Sequence, residues 1–309
     1  MIDIGVVLVT FNRLDLLKQT LQSFDNQTKS PRYIIVVNNA SNDGTEEYLK
    51  KWGEVEEEYK KIIINNPVNT GGAGGFGEGL ERAIKESADW IWVSDDDAFP
   101  KQDAIEKAQD YLEKNAPRLS NISAICGKVI NNGVIDIKHR RRMFERGLKI
   151  IGENVPETEY SKKDFEINCF SYVGSIISRE KLKNVGVTRK DYFIWWDDTE
   201  HSLRLSNAGK IVCVPSICIN HNVDAIDGGV TWKNYYGIRN SFDIYRRYFS
   251  RKSYYYCKIR LLKTMLFGKK RIANKELRKM IVCALRDSKN ERFGLHSVYK
   301  PGWNTKKSN

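Results

Sequence analysis

Hydrophobic and polar positions in the first third of the chain form repeated blocks: a short apolar run, a polar segment, then apolar positions at near-helical spacing. The apolar runs are rich in valine and isoleucine, which is typical of buried strands, and the spaced leucines after the first run predict an amphipathic helix. This alternation predicts an α/β fold. The predicted strands are Gly5–Thr10, Tyr33–Val37, Lys61–Ile64 and Ala88–Val93, and the predicted helices include Glu46–Trp52 and Asp103–Lys114.

The same pattern continues through the rest of the chain, with one interruption. Residues 131–165 are polar, basic and low in periodicity, so we interpret them as an insertion over the substrate side of the fold. Further strands are predicted on both sides of this insertion, and helices after it. The strands are Ser123–Val129, Phe170–Ser178 and Gly209–Pro215, and the helices are Arg179–Lys183 and Thr199–Ala208.

A glycine-rich segment, Asn69–Gly79, lies between the third predicted strand and the apolar positions Leu80, Ala83 and Ile84, which predict a helix. Glycines allow tight turns and close approach to a ligand, and a following helix offers unpaired N–H groups. No Gly-Lys-Ser/Thr sequence follows, so the segment is not a Walker loop. Taken alone, the segment predicts a flexible turn.

Three adjacent carboxylates, Asp95, Asp96 and Asp97, follow the predicted strand Ala88–Val93. Ligands of open α/β sheets collect at the carboxyl ends of strands, where oxygen ligands can bind a divalent cation that carries a phosphorylated ligand. Alternate residues of an extended segment point the same way, so Asp95 and Asp97 can converge on one ion while Asp96 faces elsewhere. The alternative interpretation is a solvated acidic turn.

A second acidic cluster, Asp197 and Asp198, directly follows Trp195 and Trp196. At the start of a helix these carboxylates would interact favourably with the helix dipole. An acidic helix start explains the carboxylates but not the two tryptophans, whose flat faces suit a polyhydroxylated ring. Farther along, His221 is either a metal ligand or a hydrogen-bonded loop histidine.

Charge is distributed unevenly along the 309 residues. The formal net charge is +12, but residues 246–309 contain 19 Lys/Arg against 3 Asp/Glu, so the first 245 residues are slightly acidic. We therefore expect a catalytic domain over residues 1–245 and a basic helical tail over residues 246–309. A tail of this charge could contact nucleic acid, a phosphorylated substrate or an anionic membrane surface.

Within this tail, Tyr255, Ile259, Leu262 and Leu266 share one helical face that is surrounded by basic residues. The pattern is an amphipathic basic helix with interfacial aromatic residues, which favours a membrane surface or packing on the catalytic domain. No nucleic-acid-binding module is recognised, so nucleic acid is not expected as a partner. No apolar run is long enough to span a bilayer and no signal-peptide pattern is present, so we expect a cytoplasmic location.

Four of these stretches, in this order, resemble the motifs of the family 2 glycosyltransferases of the GT-A fold. They are Val9–Arg13, Val37–Thr45, Asp95–Asp97 and Asp197–Arg204. The resemblance extends from about residue 4 to about residue 240. It implies a Rossmann-like, mostly parallel central sheet flanked by helices, with a basic C-terminal helical appendage. Within the family, bacterial galactofuranosyltransferases are most similar in Asn69–Phe76, Trp196–Asp198, His221 and Tyr235–Asn240.

The resemblance also implies roles for individual residues. Asp95, Asp97 and His221 would hold Mn²⁺ or Mg²⁺, which neutralises the donor diphosphate. Asp198 would remove the proton from the acceptor hydroxyl. The residues implied to face the nucleotide or donor are Thr10, Asn12, Arg13, Asn38, Asn69, Gly71, Gly72 and Asp96, and those implied to shape the acceptor subsite are Trp195, Trp196 and Asp197. Many relatives have Asp where this chain has Asn38, which leaves the identity of the nucleotide open.

The implied activity is inverting, metal-dependent transfer of a sugar from a nucleotide-sugar donor to a glycan acceptor. The best match is galactofuranose from UDP-galactofuranose, passed to a lipid-linked acceptor at the inner face of a bacterial membrane during cell-surface polysaccharide synthesis. Transfer of rhamnose from dTDP-rhamnose is the alternative. A binding protein without turnover is a further hypothesis, although both carboxylate clusters are intact. A nucleotidyltransferase would also use paired acids, but Thr10–Arg13 is a poor version of its basic glycine-rich loop.

Overall fold

The chain folds around a mixed β-sheet with a parallel centre. The structure, a computed structural model, describes residues 2–222, 230–267 and 274–303. The strands are β1 (Ile4–Thr10), β2 (Tyr33–Asn38), β3 (Lys60–Asn65), β4 (Trp90–Asp95), β5 (Phe99–Pro100), β6 (Ile122–Asn131), β7 (Val134–Ile135), β8 (Arg140–Arg146), β9 (Lys149–Asn154), β10 (Phe165–Ile167), β11 (Cys169–Phe170), β12 (Val173–Ser178) and β13 (Lys210–Asn220). The main sheet has the order β10-β13-β6-β12-β4-β1-β2-β3, with β5 beside β13 and β7 beside β6, and the order β11-β8-β9 forms a separate small sheet.

Strands β3, β2, β1 and β4 pair in parallel and contain the apolar runs of the sequence. In β1, Val6 and Leu8 are buried on one face of the sheet, and Val7 and Val9 on the other. Strands that are covered on both faces need continuous apolar sequences rather than alternating ones. Beyond β4, β12 is antiparallel to both of its neighbours, whereas β13 is parallel to β6. The prediction of a mostly parallel central sheet is confirmed.

Helices cover both faces of this sheet. They are α1 (Leu14–Asp25), α2 (Thr45–Glu54), α3 (Gly71–Ile84), α4 (Ala104–Lys114), α5 (Arg179–Val185), α6 (Asp197–Ala208), α7 (Lys233–Tyr248), α8 (Arg251–Leu266) and α9 (Lys275–Lys289). Helices α1, α2 and α4 contribute to the core on one face, and α3, α5 and α6 to the core on the other. The predicted flanking helices are therefore confirmed, with boundaries that differ by only one or two residues for α2, α4, α5 and α6.

The glycine-rich segment is helical, so the prediction of a flexible turn is wrong. Helix α3 begins at Gly71, before the run of glycines rather than after it. A Cβ atom on Gly75 would lie 2.6 Å from Val9, and one on Gly79 would lie 2.4 Å from Val7. The glycines therefore allow α3 to lie directly on β1. Tertiary packing of this kind overrides the low helix propensity of glycine.

The polar insertion is structured and contains the hairpin β8–β9, with β11 beside β8. Arg140, at the start of β8, is fully buried. Its guanidinium donates to the carbonyl oxygens of Gly127 in β6 and Val173 in β12, at 2.9 and 2.6 Å. A buried guanidinium needs such acceptors, so the contacts fix the hairpin to the main sheet. The next residue, Arg141, thereby obtains a defined position.

The C-terminal appendage consists of α7, α8, α9 and a final segment that packs on α7. Helix α7 contacts both α8 and α9. Tyr299 stacks on Tyr235 with ring centroids 5.1 Å apart, and the backbone N–H of Trp232 donates to the carbonyl of Trp303 at 3.3 Å. Residues 268–273 and 304–309 of the predicted tail lie outside the described residues. Among the described helices, none is both long enough and apolar enough to cross a membrane.

Candidate active site

Two cavities adjoin at the carboxyl ends of the parallel strands. The first, of about 290 Å³, is lined by Arg13 and is called the Arg13 cavity. The second, of about 460 Å³, is lined by Trp195 and is called the Trp195 cavity. Gly72, Asp95 and Ile194 line both. A Cβ atom on Gly72 would have no neighbour within 4 Å, so this residue leaves open space where the cavities meet.

The first acidic cluster faces the Arg13 cavity and is engaged by basic and hydroxyl groups. Thr10 Oγ1 donates to Asp96 Oδ2 at 2.7 Å. Arg13 Nη1 donates to Asp96 Oδ1 at 3.3 Å and to Asp97 Oδ2 at 2.6 Å. His221 Nε2 lies 3.1 Å from Asp97 Oδ1, although the two residues are far apart in sequence. The fold thus brings together five of the residues that the sequence analysis singled out.

Electrostatics distinguish the members of this cluster. Burial acts to raise the pKa of Asp97, but the hydrogen bond from His221 and the charges of His221 and Arg13 outweigh it and hold this pKa below its ordinary value. Burial raises the pKa of Asp96 to about 6 against the hydrogen bond from Thr10 and the charge of Arg13. Asp97 is therefore the carboxylate that its neighbours keep ionised.

Asp95 has weaker compensation, which comes from the charge of Arg13 alone. Among the described residues, none donates a hydrogen bond to its carboxylate. Burial, followed by repulsion from Asp97 and Asp96, raises the pKa of Asp95 well above its ordinary value. A buried carboxyl group in this position favours either a proton or a cation, because an unpaired charge is costly in a low-dielectric environment.

The donor types around Asp95 suit a divalent cation, although the donor atoms of Asp95, Asp97 and His221 do not all lie within 4.8 Å of one another. His221 Nδ1 is buried and has no hydrogen-bond partner in the described part of the chain. In the neutral form of the ring, a proton on Nε2, which faces the carboxylate of Asp97, would leave the lone pair on Nδ1. Carboxylate oxygens together with an imidazole nitrogen form a donor set that suits Mn²⁺, and carboxylate oxygens alone suit Mg²⁺.

Asn39, the residue after β2, lines the Arg13 cavity and forms hydrogen bonds with the residues at the start of α3. Its Nδ2 donates to the carbonyl of Gly71 at 2.9 Å and to Asn69 Oδ1 at 3.2 Å, and its Oδ1 accepts from the backbone N–H of Thr70 at 3.0 Å. These bonds fix the first turn of α3 beside β2. Gly71 has φ of +75°, and a Cβ there would lie 2.0 Å from the carbonyl oxygen of Phe193, so the position requires glycine.

Asn12 and Asn38 were expected to face the nucleotide. Their side chains instead form hydrogen bonds with neighbouring loop and strand residues. Asn38 Nδ2 donates to Asn65 Oδ1 at 3.0 Å, and its Oδ1 accepts from the backbone N–H of Ser41 at 3.0 Å. Asn12 Oδ1 accepts from the backbone N–H of Asn42 at 2.8 Å. Neither side chain lines the Arg13 cavity. Polar loops need such side-chain partners for their backbone groups, and Asn serves this purpose well.

The loop that enters the Trp195 cavity has unusual backbone geometry. Phe193, Trp195 and Trp196 have φ values of +68°, +63° and +68°. Bulky residues rarely adopt such values, which cost about 1–3 kcal/mol each, so the surrounding structure must hold them. A Cβ on Gly237 of α7 would lie 3.0 Å from the indole of Trp195, so this glycine lets the indole lie against the helix. The exposed fraction of Trp195 is 40%.

Asn240 of α7 holds this strained loop in place. Its Nδ2 group donates to the carbonyl oxygens of Tyr192, Ile194 and Trp195, at 3.1, 3.0 and 2.8 Å. Asn240 is fully buried, and so is the neighbouring Arg239, whose Nη2 donates to the same carbonyl of Tyr192 at 2.8 Å. The structure therefore gives a physical reason for the Arg-Asn pair in α7: it positions the two tryptophans.

Asp198 is held by a chain of hydrogen bonds that begins in the polar insertion. Arg141 Nη2 donates to Thr199 Oγ1 at 2.7 Å. Thr199 in turn donates to Asp198 Oδ1 from its hydroxyl at 3.1 Å and from its backbone N–H at 2.5 Å. Among the described residues, Asp198 Oδ2 has no hydrogen-bond partner. One carboxylate oxygen is therefore fixed, and the other is free to accept a proton in the Trp195 cavity.

The two carboxyl groups of this second cluster differ in protonation. Burial and the charge of Asp198 raise the pKa of Asp197 to about 8. Burial also raises the pKa of Asp198, but the charge of Arg141 and the hydrogen bonds from Thr199 oppose this rise. At neutral pH, Asp197 is therefore the protonated member of the pair, and the groups that oppose the rise in the pKa of Asp198 favour its ionised form. The geometry makes Asp198 the better proton acceptor.

Several residues that line the cavities were missed by sequence reasoning. Trp232, Lys233 and Pro301 line the Arg13 cavity, and Arg141 lines the Trp195 cavity. Burial lowers the pKa of Lys233, and the charge of Arg13 lowers it further. Lys233 lies at the start of the aromatic and basic stretch after residue 231, and this position only weakly predicts a residue of the cavity wall. The sequence around Pro301 does not predict a role in the cavity. Pro301 lines the cavity only because the final segment packs back on α7.

The sheet topology, the helix layers and the paired cavities define the class of protein: the fold is that of the GT-A glycosyltransferases. A crystal structure of GalNAc-T7 with UDP, GalNAc and Mn²⁺ superposes with a TM-score of 0.64 at 16% identity, covering 94% of this chain and 56% of that one. Residues 5–186 match the profile of glycosyl transferase family 2, and this is more than half of the chain. The chain belongs to this family.

Two curated relatives are similar in sequence. The galactofuranosyltransferase GlfT1 of Mycolicibacterium smegmatis is 36% identical over 204 residues, which are 66% of this chain and 65% of that protein. The chain thus spans just under two thirds of the length of this relative. The dTDP-rhamnosyl transferase RfbF of Shigella flexneri is 25% identical over 257 residues, which are 79% of this chain and 80% of that protein.

Proposed function

We propose that this protein is an inverting, metal-dependent glycosyltransferase that moves galactofuranose from UDP-galactofuranose to a glycan acceptor. The observation that carries the proposal is the meeting of the two cavities at Gly72, Asp95 and Ile194. A donor whose nucleotide occupies the Arg13 cavity would place its sugar at this junction. An acceptor in the Trp195 cavity would then approach the sugar from the side of Asp198.

The Arg13 cavity is suited to a nucleotide diphosphate. Arg13 and Lys233 supply positive charge, and the positive end of the α3 dipole lies at Gly72, although the backbone N–H of Gly71 is bonded to Asn69 Oδ1. Asp95, Asp97 and His221 would hold Mn²⁺ or Mg²⁺, which neutralises the diphosphate leaving group when bound. Arg13 pairs with Asp97 in the protein alone and would exchange this contact for the diphosphate.

Asp198 would act as the base. Its free Oδ2 takes the proton from the acceptor hydroxyl while that oxygen attacks the anomeric carbon from the side opposite to the leaving diphosphate, so the configuration inverts. A positioned base contributes about 10²- to 10⁴-fold to a rate. The charge of Arg141 and the hydrogen bonds from Thr199 favour the ionised carboxylate, and Thr199 orients it. Trp195 and Trp196 would pack against the acceptor sugar, and the neutral carboxyl of Asp197 could donate a hydrogen bond to it.

Galactofuranose is preferred as the transferred sugar because of the similarity to GlfT1. A second candidate, transfer of rhamnose from dTDP-rhamnose, is supported by the similarity to RfbF over four fifths of both chains. Asn38 does not discriminate between uracil and thymine in this structure, since its side chain is bonded to Asn65 and Ser41. A binding protein without turnover is disfavoured by the free carboxylate oxygen of Asp198 in the Trp195 cavity and by the absence of a hydrogen bond to Asp95 among the described residues.

We also propose that the acceptor is lipid-linked and that the protein works at the cytoplasmic face of the cell membrane. The support is the basic charge of residues 246–309, which include the end of α7 and helices α8 and α9 and contain 19 Lys/Arg against 3 Asp/Glu. Positive charge favours both lipid diphosphates and anionic headgroups. Such an acceptor would place the reaction in the synthesis of a cell-surface polysaccharide.

Nucleotide release from a panel of UDP- and dTDP-sugars, with Mn²⁺ or with EDTA, tests this function. We expect metal-dependent release of UDP from UDP-galactofuranose, with loss of turnover in Asp198→Asn. Release only from dTDP-rhamnose would overturn the sugar and keep the mechanism. Absence of release from every donor, in the presence of lipid-linked glycan acceptors, would overturn the enzymatic proposal.

A further inference from the structure

The helices of the appendage enclose a third cavity, of about 290 Å³, which is separate from the two at the strand ends. Helix α7 contributes a residue from its last turn, α9 contributes the last residue of the helix, and α8 contributes the rest. The residues that line this cavity are Arg246, Arg251, Tyr254, Tyr255, Lys258 and Lys289.

The cavity has excess positive charge. Arg246 Nη2 pairs with Asp243 and Glu291, at 2.7 Å each, so its charge is compensated. Arg251, Lys258 and Lys289 form no ion pair with any carboxylate in the described parts of the chain. Three basic side chains from two helices thus converge on one cavity without counter-ions. Such a cavity favours an anion with several oxygen acceptors, such as a phosphate ester.

The direction of α8 adds to this preference. Arg251 is the first residue of this helix, so the positive end of the helix dipole lies beside the cavity, and the start of the helix is capped by Ser250 Oγ, which accepts from the backbone N–H of Ser253, and by Glu145, which accepts from that of Ser250. Arg251, Tyr255 and Lys258 follow one another at helical spacing and share a face of α8. The phenol ring of Tyr255 therefore lies between two cations.

An exposed apolar strip continues from the cavity along α8. The exposed fractions are 52% for Tyr255, 52% for Ile259, 45% for Leu266 and 69% for Phe267. Exposed basic side chains flank this strip: Lys252, Arg260 and Lys263. The opposite side of α8 is packed in the appendage through Tyr254 and Met265. The outer face of α8 thus presents apolar and basic side chains together.

We propose that this cavity seats the phosphate headgroup of an anionic membrane lipid while the apolar strip of α8 lies among the acyl chains. The proposal deepens the membrane contact of the proposed function, and it names the residues that make the contact. Basic pockets between helices bind anionic headgroups, and each basic residue near an anionic surface contributes about fivefold to binding. The loss of three such residues is therefore expected to weaken membrane binding about 100-fold.

Co-sedimentation of the full chain with vesicles tests the proposal. Two sets of vesicles are compared: phosphatidylcholine alone, and phosphatidylcholine mixed with phosphatidylglycerol. We expect wild type to bind only the anionic vesicles, and the triple variant Arg251→Gln, Lys258→Gln, Lys289→Gln to lose about 100-fold in partition coefficient. The matched control is Lys29→Gln, Lys50→Gln, Lys51→Gln, which removes the same net charge from exposed, unpaired positions of the catalytic region and is expected to bind as wild type does.

A second variant, Ile259→Ser, separates the headgroup contact from the apolar one. This exposed position should tolerate Ser, and binding to anionic vesicles should weaken severalfold while the thermal unfolding midpoint stays unchanged. Equal losses in the two triple variants would show a general charge effect and overturn the cavity as the site. If the triple variant of the cavity lost binding to single-stranded DNA but kept its binding to anionic vesicles, the lipid would not be the partner of this cavity.

Vesicle binding requires no turnover, so its outcome is independent of the sugar-transfer reaction. Release of UDP in the presence of a water-soluble acceptor is expected to be the same in the triple variant and in wild type. Failure of the proposed function would abolish this release in both proteins and leave vesicle binding intact. Failure of the lipid proposal would leave the release intact and make vesicle binding insensitive to the triple variant.

Discussion

The two acidic clusters of the active site have similar sequences and opposite electrostatics. In the first, Asp97 is kept ionised by Arg13 and His221, next to Asp95, which has no partner. In the second, one positive group, Arg141, acts through Thr199 on Asp198, and Asp197 is protonated at neutral pH. Adjacent carboxylates thus serve two purposes, according to which cations the fold brings to them.

The difference is the one expected from the role that we propose for each cluster. A site for a metal and a diphosphate needs several negative ligands in one place, together with mobile positive groups that neutralise them beforehand. A base needs one ionised carboxylate with one free oxygen, so a second charge beside it would be harmful. Protonation of Asp197 removes this second charge. Each cluster can be tested by removing the group that distinguishes it.

The largest expected effect comes from removal of the base. In Asp198→Asn, the amide keeps the shape of the side chain but cannot accept the proton, so kcat should fall about 10²- to 10⁴-fold. The affinity for UDP should stay as in wild type, because Asp198 lines the Trp195 cavity and not the Arg13 cavity. Steady-state kinetics and calorimetric titration with UDP measure the two quantities. The matched control is Asp110→Asn on the exposed face of α4; an equal loss of kcat there would contradict the assignment.

Removal of His221 tests the first cluster. His221→Ala removes both a candidate metal ligand and the hydrogen bond to Asp97. Loss of a residue that orients or completes a metal site typically weakens metal affinity about 10- to 100-fold. Titration of Mn²⁺ in the presence of UDP measures this change. If the Mn²⁺ requirement of wild type and His221→Ala were identical, the first cluster would not be the metal site.

The sequence predicted the sheet, most helix boundaries and both acidic clusters. These features depend on local patterns: continuous apolar runs for buried strands, and polar residues where the strands end. The sequence could not predict the helix from Gly71, because this helix is stabilised by the absence of side chains at Gly75 and Gly79 where it crosses β1. Local propensity counts these glycines as unfavourable, whereas the packing requires them.

The remaining misses are long-range contacts. Arg141 comes from a segment without a clear period, and its role depends on Arg140, which anchors the hairpin beside it. Asn38 and Asn39 are equivalent in sequence, and only the register of β2 against β3 directs Asn38 to Asn65 and leaves Asn39 at the cavity. Motif resemblance locates a loop correctly but does not decide which of two neighbouring amides faces the ligand.

A smaller effect is expected from Arg141→Gln. Loss of this positive charge raises the pKa of Asp198, and since the proposed base must be ionised, the acid limb of the kcat profile should move to higher pH. Activity at alkaline pH should change little. The pH profile of Arg141→Lys should lie between those of wild type and Arg141→Gln. Arg142→Gln is the matched control, because Arg142 pairs with Glu159 outside the cavity; a shift of the same size there would contradict a specific role of Arg141.

The smallest change in activity is expected from Asp197→Asn. Since the pKa of Asp197 is raised to about 8, its carboxyl group is neutral at pH 7, and an amide of the same shape should keep kcat within about threefold of wild type.

The effect of Asp197→Asn on the free energy of unfolding has a defined sign. A carboxyl whose pKa is raised by folding contributes stability that is fully present below its unfolded pKa, near 4, and is lost as the pH rises toward about 8. Asp197→Asn has no carboxyl group at this position, so its stability does not decrease with pH for this reason. Its advantage in free energy of unfolding, measured in EDTA by denaturant titration, should therefore grow with pH by up to about 1.4 kcal/mol per unit over this range. A constant difference would mean that Asp197 is ionised in the folded protein, and the contrast between the two clusters would disappear.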